Sequence, residues 1–163
     1  MLREAWQRRV VDVVLSQLRQ GITPQKIALT IAIGITLGLF PILGSTTLLC
    51  FLAGVLLGLN QPIIQGVNYL VYPLQVAGIY FFIRIGEWLT RTAPLQFSIP
   101  GLLQQFRASP LHFFQEFGMT ALRGILAWTL IAPFAAAALY FALLPLLRRL
   151  SQLRSSGADV NVA

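Results

Sequence analysis

Charge is what this sequence has least of. Only 10% of its 163 residues are Asp, Glu, Lys or Arg, against about 25% in an ordinary soluble domain. Acidic residues number five, and cysteine and histidine one each. So few charges cannot wet the surface of a chain that is 56% hydrophobic, which argues against a water-soluble globule. The same apolar richness excludes disorder. A single cysteine, Cys50, excludes an internal disulfide. With a single histidine, His112, a Cys/His zinc site within the chain is all but excluded. Nucleotide-binding, zinc-protease and serine-hydrolase signatures are missing too: there is no G-x-x-x-x-G-K-[ST], no H-E-x-x-H and no G-x-S-x-G. The chain is therefore expected not to be an enzyme, and no metal or cofactor is implied.

What remains is an integral membrane protein of one domain, with a mean hydropathy of +0.74. Its net charge is +7. The basic residues sit at the edges of apolar blocks, without the interleaved aromatics on which bases stack, so nucleic acid is not expected as a partner. They read as anchors facing anionic headgroups. The residues before the first apolar block do not have the form of a cleavable leader. Cys50, within an apolar run, reads as a small hydrophobe, and His112 as an interfacial aromatic.

Residues 1–21 read as an interfacial amphipathic helix. Leu2, Trp6, Val10, Val13, Val14 and Leu18 recur at helical spacing, with Arg3, Arg8, Arg9, Asp12 and Arg19 largely on other faces. Gly21 ends it, and Thr23-Pro24 begins the next helix as N-cap and first helical residue. Between Lys26 and Arg84 there is no charged residue at all. This stretch breaks at Phe40-Pro41-Ile42-Leu43-Gly44-Ser45-Thr46-Thr47, where Pro41 removes a helix hydrogen bond and Gly44 permits a turn. The helices on either side, 27–40 and 46–59, would each be about 21 Å long, short of a hydrocarbon core of about 30 Å. A re-entrant hairpin over 27–60 is the favoured reading, and two thin or tilted spans the alternative.

Gly34 with Gly38, and Gly54 with Gly58, make two G-x-x-x-G pairs that share a midpoint at residue 46. Folding there would bring two smooth faces together as helix-packing surfaces. Residues 62–83 read as a full transmembrane helix with Pro73 as a central hinge, a role Pro41 plays in the hairpin. Gln65, Asn68 and Gln75 fall within this span and should face protein or a cavity. Arg84, Glu87 and Arg91 follow at the water edge. Residues 101–123 read as an interfacial segment interrupted by Pro110, 124–147 as a second transmembrane helix, and 155–163 as a disordered tail. Two spans put both termini on one side, taken as the cytoplasm from the five basic residues of the N-terminal segment. The fold class is all-α: an interfacial helix, a re-entrant hairpin and two full spans in a single membrane domain over 1–154.

The candidate site is Gly44-Ser45-Thr46-Thr47. A helix starting there would present free backbone N–H groups beside hydroxyls, a donor set for an anion. Lys26 and Arg84 are its candidate charge partners. The ordinary alternative for the same residues is N-capping by Ser45 or Thr46.

Thr23-Pro24-Gln25-Lys26-Ile27-Ala28, Ala32-Ile33-Gly34, Gly38, Phe40-Pro41, Gly44, Thr47, Ala53, Asn60 and Pro62 together resemble the bacterial membrane-protein family of unknown function numbered twenty sixty-two. The resemblance covers residues 1–90 well and the rest loosely. It implies a bacterial inner-membrane protein, occurring alone or fused to glycosyltransferase-type domains, with no established activity. The sequence departs from the family pattern at Thr46, where relatives have Gln, and at Tyr72-Pro73-Leu74-Gln75, where they have Asn-Pro-x-Thr. The short proline-glycine hairpin is also architecturally similar to DedA-like membrane proteins. The resulting expectation is a homo-oligomer that binds or translocates an anionic membrane lipid or lipid-linked precursor. The competing expectations are a scaffold for a cell-envelope biosynthesis enzyme and a solute channel.

Overall fold

The computed structural model describes residues 23–93, 107 and 109–159. Among these the fold is all-helical, with no strand: α1 (Pro24–Gly38), α2 (Thr46–Leu56), α3 (Gln61–Leu89) and α4 (Pro110–Asp159). The expected interfacial helix over 1–21 lies outside the described residues, as do 101–106 of the second interfacial segment.

Local chemistry sets the helix starts. Thr23 caps α1, its hydroxyl accepting from the Lys26 N–H at 3.4 Å, with Pro24 in the first turn. Asn60 caps α3 in the same way, its side-chain oxygen accepting from the Ile63 N–H at 3.1 Å ahead of Pro62. Pro24 and Pro62 each stand where a missing N–H costs nothing. Pro110 does likewise for α4, so it opens a helix that the sequence suggested it would interrupt. Residues 110–123, read above as a separate interfacial segment, are the first turns of that helix. At its far end α4 continues through Arg148, Arg149 and Arg154 to Asp159, into residues read above as tail. Arginine and serine do not break a helix already nucleated upstream.

The stops are equally local. After α2, Gly58 adopts φ +59. Its N–H reaches Val55 O at 3.3 Å, while the Leu59 N–H reaches Gly54 O at 2.8 Å. This is the paired closure of a helix end by a left-handed residue. Gly58 is therefore a terminator outside α2, not a packing position within it. α3 ends with the same pairing, Arg91 N to Trp88 O at 3.2 Å and Thr92 N to Glu87 O at 3.0 Å, but its left-handed residue is Arg91, at φ +52. The turn between α1 and α2 uses Gly44 at φ +84.

The helices alternate in direction. At one end Ile27 and Ala28 of α1, Ile63 of α3 and Leu147 of α4 form one buried cluster. At the other end Gly124 of α4 lies beside Ile83 of α3 and Pro41 of the turn. A second cluster of Cys50, Leu59 and Ile64, with Ile33, Leu37 and Ala53 around it, seats α2 against α1 and α3.

Two helices are long and apolar enough to cross a membrane, Gln61–Leu89 and Gln115–Gln152. At ~1.5 Å per residue, α3 is about 43 Å long. α1 and α2, with 15 and 11 residues, are shorter apolar helices. Large apolar side chains face outward along α2, α3 and α4, among them Leu56, Tyr69, Leu74, Phe134 and Phe141. The buried set is small, mixed and partly polar. An inside with fewer large apolar groups than the outside suits a chain surrounded by lipid.

Candidate functional site

The polar residues of α3 define the centre of the molecule. Gln61, Gln65, Asn68 and Gln75 share one helix face, and that face meets the hairpin. Gln61 Nε2 donates to Phe51 O at 3.0 Å, and Gln65 Nε2 to Thr47 O at 3.1 Å. Asn68 Nδ2 donates to Thr47 Oγ1 at 3.4 Å. Gln75 Nε2 donates to Phe40 O at 2.9 Å and to Ile42 O at 3.3 Å. Four side-chain amides thus hold α2 and the turn onto α3. Each glutamine spends its N–H half on a carbonyl and leaves its oxygen buried with no hydrogen-bond partner: Gln61 Oε1, Gln65 Oε1 and Gln75 Oε1. Since the carbonyls need donors, the amide orientations follow from the bonds they make.

Ser45 stands at the N-cap of α2 but does not cap it. Its hydroxyl turns back to donate to Ile42 O at 2.8 Å. The ordinary capping role is therefore absent at Ser45, and the first N–H groups of α2 have no side-chain acceptor from it. Thr46 is buried, and Gly44 and Thr47 are exposed.

The two expected charge partners are placed elsewhere. Lys26 sits in the first turn of α1, with Nζ 3.8 Å from the position a Cβ would take on Gly58. That is the opposite end of the hairpin from Ser45. Arg84 is bound to Glu87 at 2.9 Å and lies over the Tyr80 ring, 4.9 Å from its centroid. It belongs to the charged end of α3. The structure therefore brings Gly44, Ser45, Thr46 and Thr47 together and leaves Lys26 and Arg84 apart from them.

The glycines also divide. Gly34 and Gly38 do not have each other's mirror pair as nearest neighbours. A Cβ on Gly34 would meet Val67 and Ile64, and one on Gly38 would meet Asn68 and Val71, all on α3. Gly54 accommodates the Gln61 side chain. Close approach thus runs from the hairpin to α3, because α3 carries the donors that the turn carbonyls need. Pro41 is buried in the turn, and Pro73 lies inside α3 with the helix continuing past it.

Sequence reasoning missed three features. Gln61, one residue before the expected span over 62–83, begins α3 and donates to the hairpin. Gly86, at the α3–α4 contact, lies directly against the Arg123 backbone. Trp128 Nε1 donates to Thr36 O at 3.1 Å, and its ring packs edge-on to Phe40, centroids 4.9 Å apart. The signal for Gln61 was its i, i+4 spacing to Gln65.

These elements define an all-helical protein with two candidate membrane-crossing helices and a short helical hairpin pinned to one of them through amides. The chain belongs to the bacterial family described as an uncharacterized protein conserved in bacteria (DUF2062), whose model matches residues 7–156. No curated protein and no solved structure matches it.

Proposed function

We propose that this is a multi-pass protein of the bacterial inner membrane that binds or translocates an anionic lipid at the α1–α2 turn. The observation that carries the reading is the depth of an exposed polar group. Thr47 is exposed, yet it is bonded to Gln65 and Asn68, within the apolar part of α3. The first N–H groups of α2, which Ser45 does not cap, cannot face hydrocarbon at such a level and must meet protein, water or a headgroup. The uncapped start of α2 offers N–H donors there, the donor set that suits phosphate.

A re-entrant hairpin is part of this reading. α1 and α2, with 15 and 11 residues, are each shorter than a hydrocarbon core of about 30 Å, and Phe40 and Ile42 of the turn are held by Gln75 of α3. α3 and α4 then cross and return, with both termini on the cytoplasmic side. One chain cannot surround its own turn with two crossing helices, so a homo-oligomer covers it. Lys26 and Arg84 act as anchors at the two ends of the bundle, outside the lipid site.

Native mass spectrometry from mild detergent tests this reading. An oligomer that retains phosphatidic acid, and loses it when Ser45, Thr46 and Thr47 are all replaced by Ala, is the expected result. Equal retention by the triple variant removes the site. A monomer free of lipid in both detergent and nanodiscs removes the oligomer. A scaffold for an envelope enzyme is the reading to adopt if the oligomer persists without lipid.

A further inference from the structure

α2 is the least committed helix of the bundle. It has 11 residues, and only Thr46, Cys50 and Gly54 of them are buried. Glycines in left-handed conformations flank it, Gly44 at φ +84 and Gly58 at φ +59. Its polar attachment to α3 is weak in kind. Phe51 O and Thr47 O lie within α2, where the i→i+4 ladder already provides each with a donor, so Gln61 and Gln65 supply only second bonds. In exchange, Gln61 Oε1 and Gln65 Oε1 are buried without partners. An unpartnered buried acceptor is a cost that the closed seam carries at both positions. Gln75 is different. It serves turn carbonyls outside any helix, so it fixes the turn while α2 below remains the movable part.

We infer that α2 swings off α3 about Gly44 and Gly58, and that the opened seam takes a hydroxyl-bearing lipid headgroup whose O–H groups donate to Gln61 Oε1 and Gln65 Oε1. The ligand class follows from what the seam lacks. Its unpartnered atoms are neutral acceptors, so they call for donors. Among the described residues that line this seam there is no carboxylate, and a headgroup bringing hydroxyls needs no counter-charge. Gln61 and Gln65 lie one turn apart, about 6 Å along the helix, a spacing that one sugar ring or glycerol can bridge. The outward apolar side chains of α2, Leu48, Phe51, Leu52, Val55 and Leu56, would lie along its acyl chains.

The inference rests on the turn being a lipid site, and the two fail separately. Cys50, the chain's only cysteine, is fully buried beneath α2 against Leu59 and Ile64, so its alkylation reports opening. The protein is placed in phosphatidylcholine nanodiscs, alone or with glucosyl-diacylglycerol or phosphatidic acid added, and the rate with N-ethylmaleimide is measured. Slow reaction is expected in phosphatidylcholine. Glucosyl-diacylglycerol should raise the rate about fivefold or more, the equivalent of one regained hydrogen bond. The Gln61→Met/Gln65→Met variant removes the two acceptors along with two of the amides that hold α2, so it is compared with its own rate in phosphatidylcholine, over which glucosyl-diacylglycerol should give no increase. No increase in the wild type, or the same increase in the variant, overturns the inference. Fast reaction in phosphatidylcholine alone overturns the closed seam. Phosphatidic acid should leave the rate unchanged, and its binding is read by the native mass spectrometry described above. Its absence there removes the anion site, whereas the glucosyl response is read from the alkylation rate.

Discussion

The side-chain nitrogen of Gln75 lies 2.9 Å from the carbonyl oxygen of Phe40, and the same nitrogen reaches Ile42 O at 3.3 Å. Phe40 O lies outside any helix, so no helical ladder satisfies it. Gln75 is fully buried and is the residue that makes the turn compatible with an apolar setting. Gln75→Met keeps the volume and removes the donor. It should destabilise the protein by about 1–3 kcal/mol, the cost of leaving a buried carbonyl unpaired. Thermal unfolding in detergent checks this, and an unchanged midpoint would mean that water reaches the turn.

Gly86 and Arg123 set the distance between α3 and α4. A Cβ on Gly86 would run into the Arg123 carbonyl group, which is backbone and cannot rotate away. Gly86→Ala should therefore cost about 1–3 kcal/mol through forced separation of the helices. Gly66→Ala is the control, because a Cβ there meets open space. It should be neutral or slightly stabilising through helix propensity. Equal melting of the two variants would refute the contact.

Much of this fold was legible because its signals are local. Thr23-Pro24 and Asn60-Gln61-Pro62 state where helices begin, and Gly44 states where the chain turns. The charge-free stretch states that the hairpin and most of α3 are built for an apolar surrounding. The partners were not legible. Two glycine pairs symmetric about residue 46 suggest that α1 and α2 meet face to face, yet Gly34 and Gly38 face Val67 and Asn68. Symmetry of spacing says that a helix has a smooth side, and the needs of the turn carbonyls decide which neighbour uses it. The hydroxyl cluster was visible as residues. That Lys26 and Arg84 stand at opposite ends of the bundle depends on the alternating helix directions, which spacing does not record.

Arg84 and Glu87 form an asymmetric pair, with side chains 31% and 3% exposed. The carboxylate is the buried partner and depends on the guanidinium beside it. Arg84→Ala should therefore destabilise the protein more than Glu87→Gln, because the first takes the opposite charge away from a buried carboxylate and the second removes the buried charge itself. Restoring stability with the double replacement would confirm the pair as structural. A lipid-retention loss in Arg84→Ala with unchanged stability would instead return Arg84 to the anion site.

Arg91 holds a left-handed backbone conformation, φ +52, that a residue with a Cβ adopts at a cost. The closure it provides is sound, since Thr92 N and Arg91 N reach Glu87 O and Trp88 O. Glycine performs the same closure at the end of α2 without that penalty. Arg91→Gly should accordingly stabilise the end of α3 by about 1 kcal/mol, visible as slower amide exchange at Thr90–Thr92 and a higher unfolding midpoint. The side chain is exposed at the charged end of α3, where an arginine can anchor to anionic headgroups. Gly and Ala replacements separate the two contributions. Both remove the charge, and only Gly relieves the backbone. If Arg91→Gly is more stable in neutral detergent while both variants partition less well into phosphatidylglycerol vesicles than the wild type, the arginine is kept for the membrane surface and not for the helix end. If Arg91→Gly is no more stable than Arg91→Ala, the left-handed closure is not the conformation in solution.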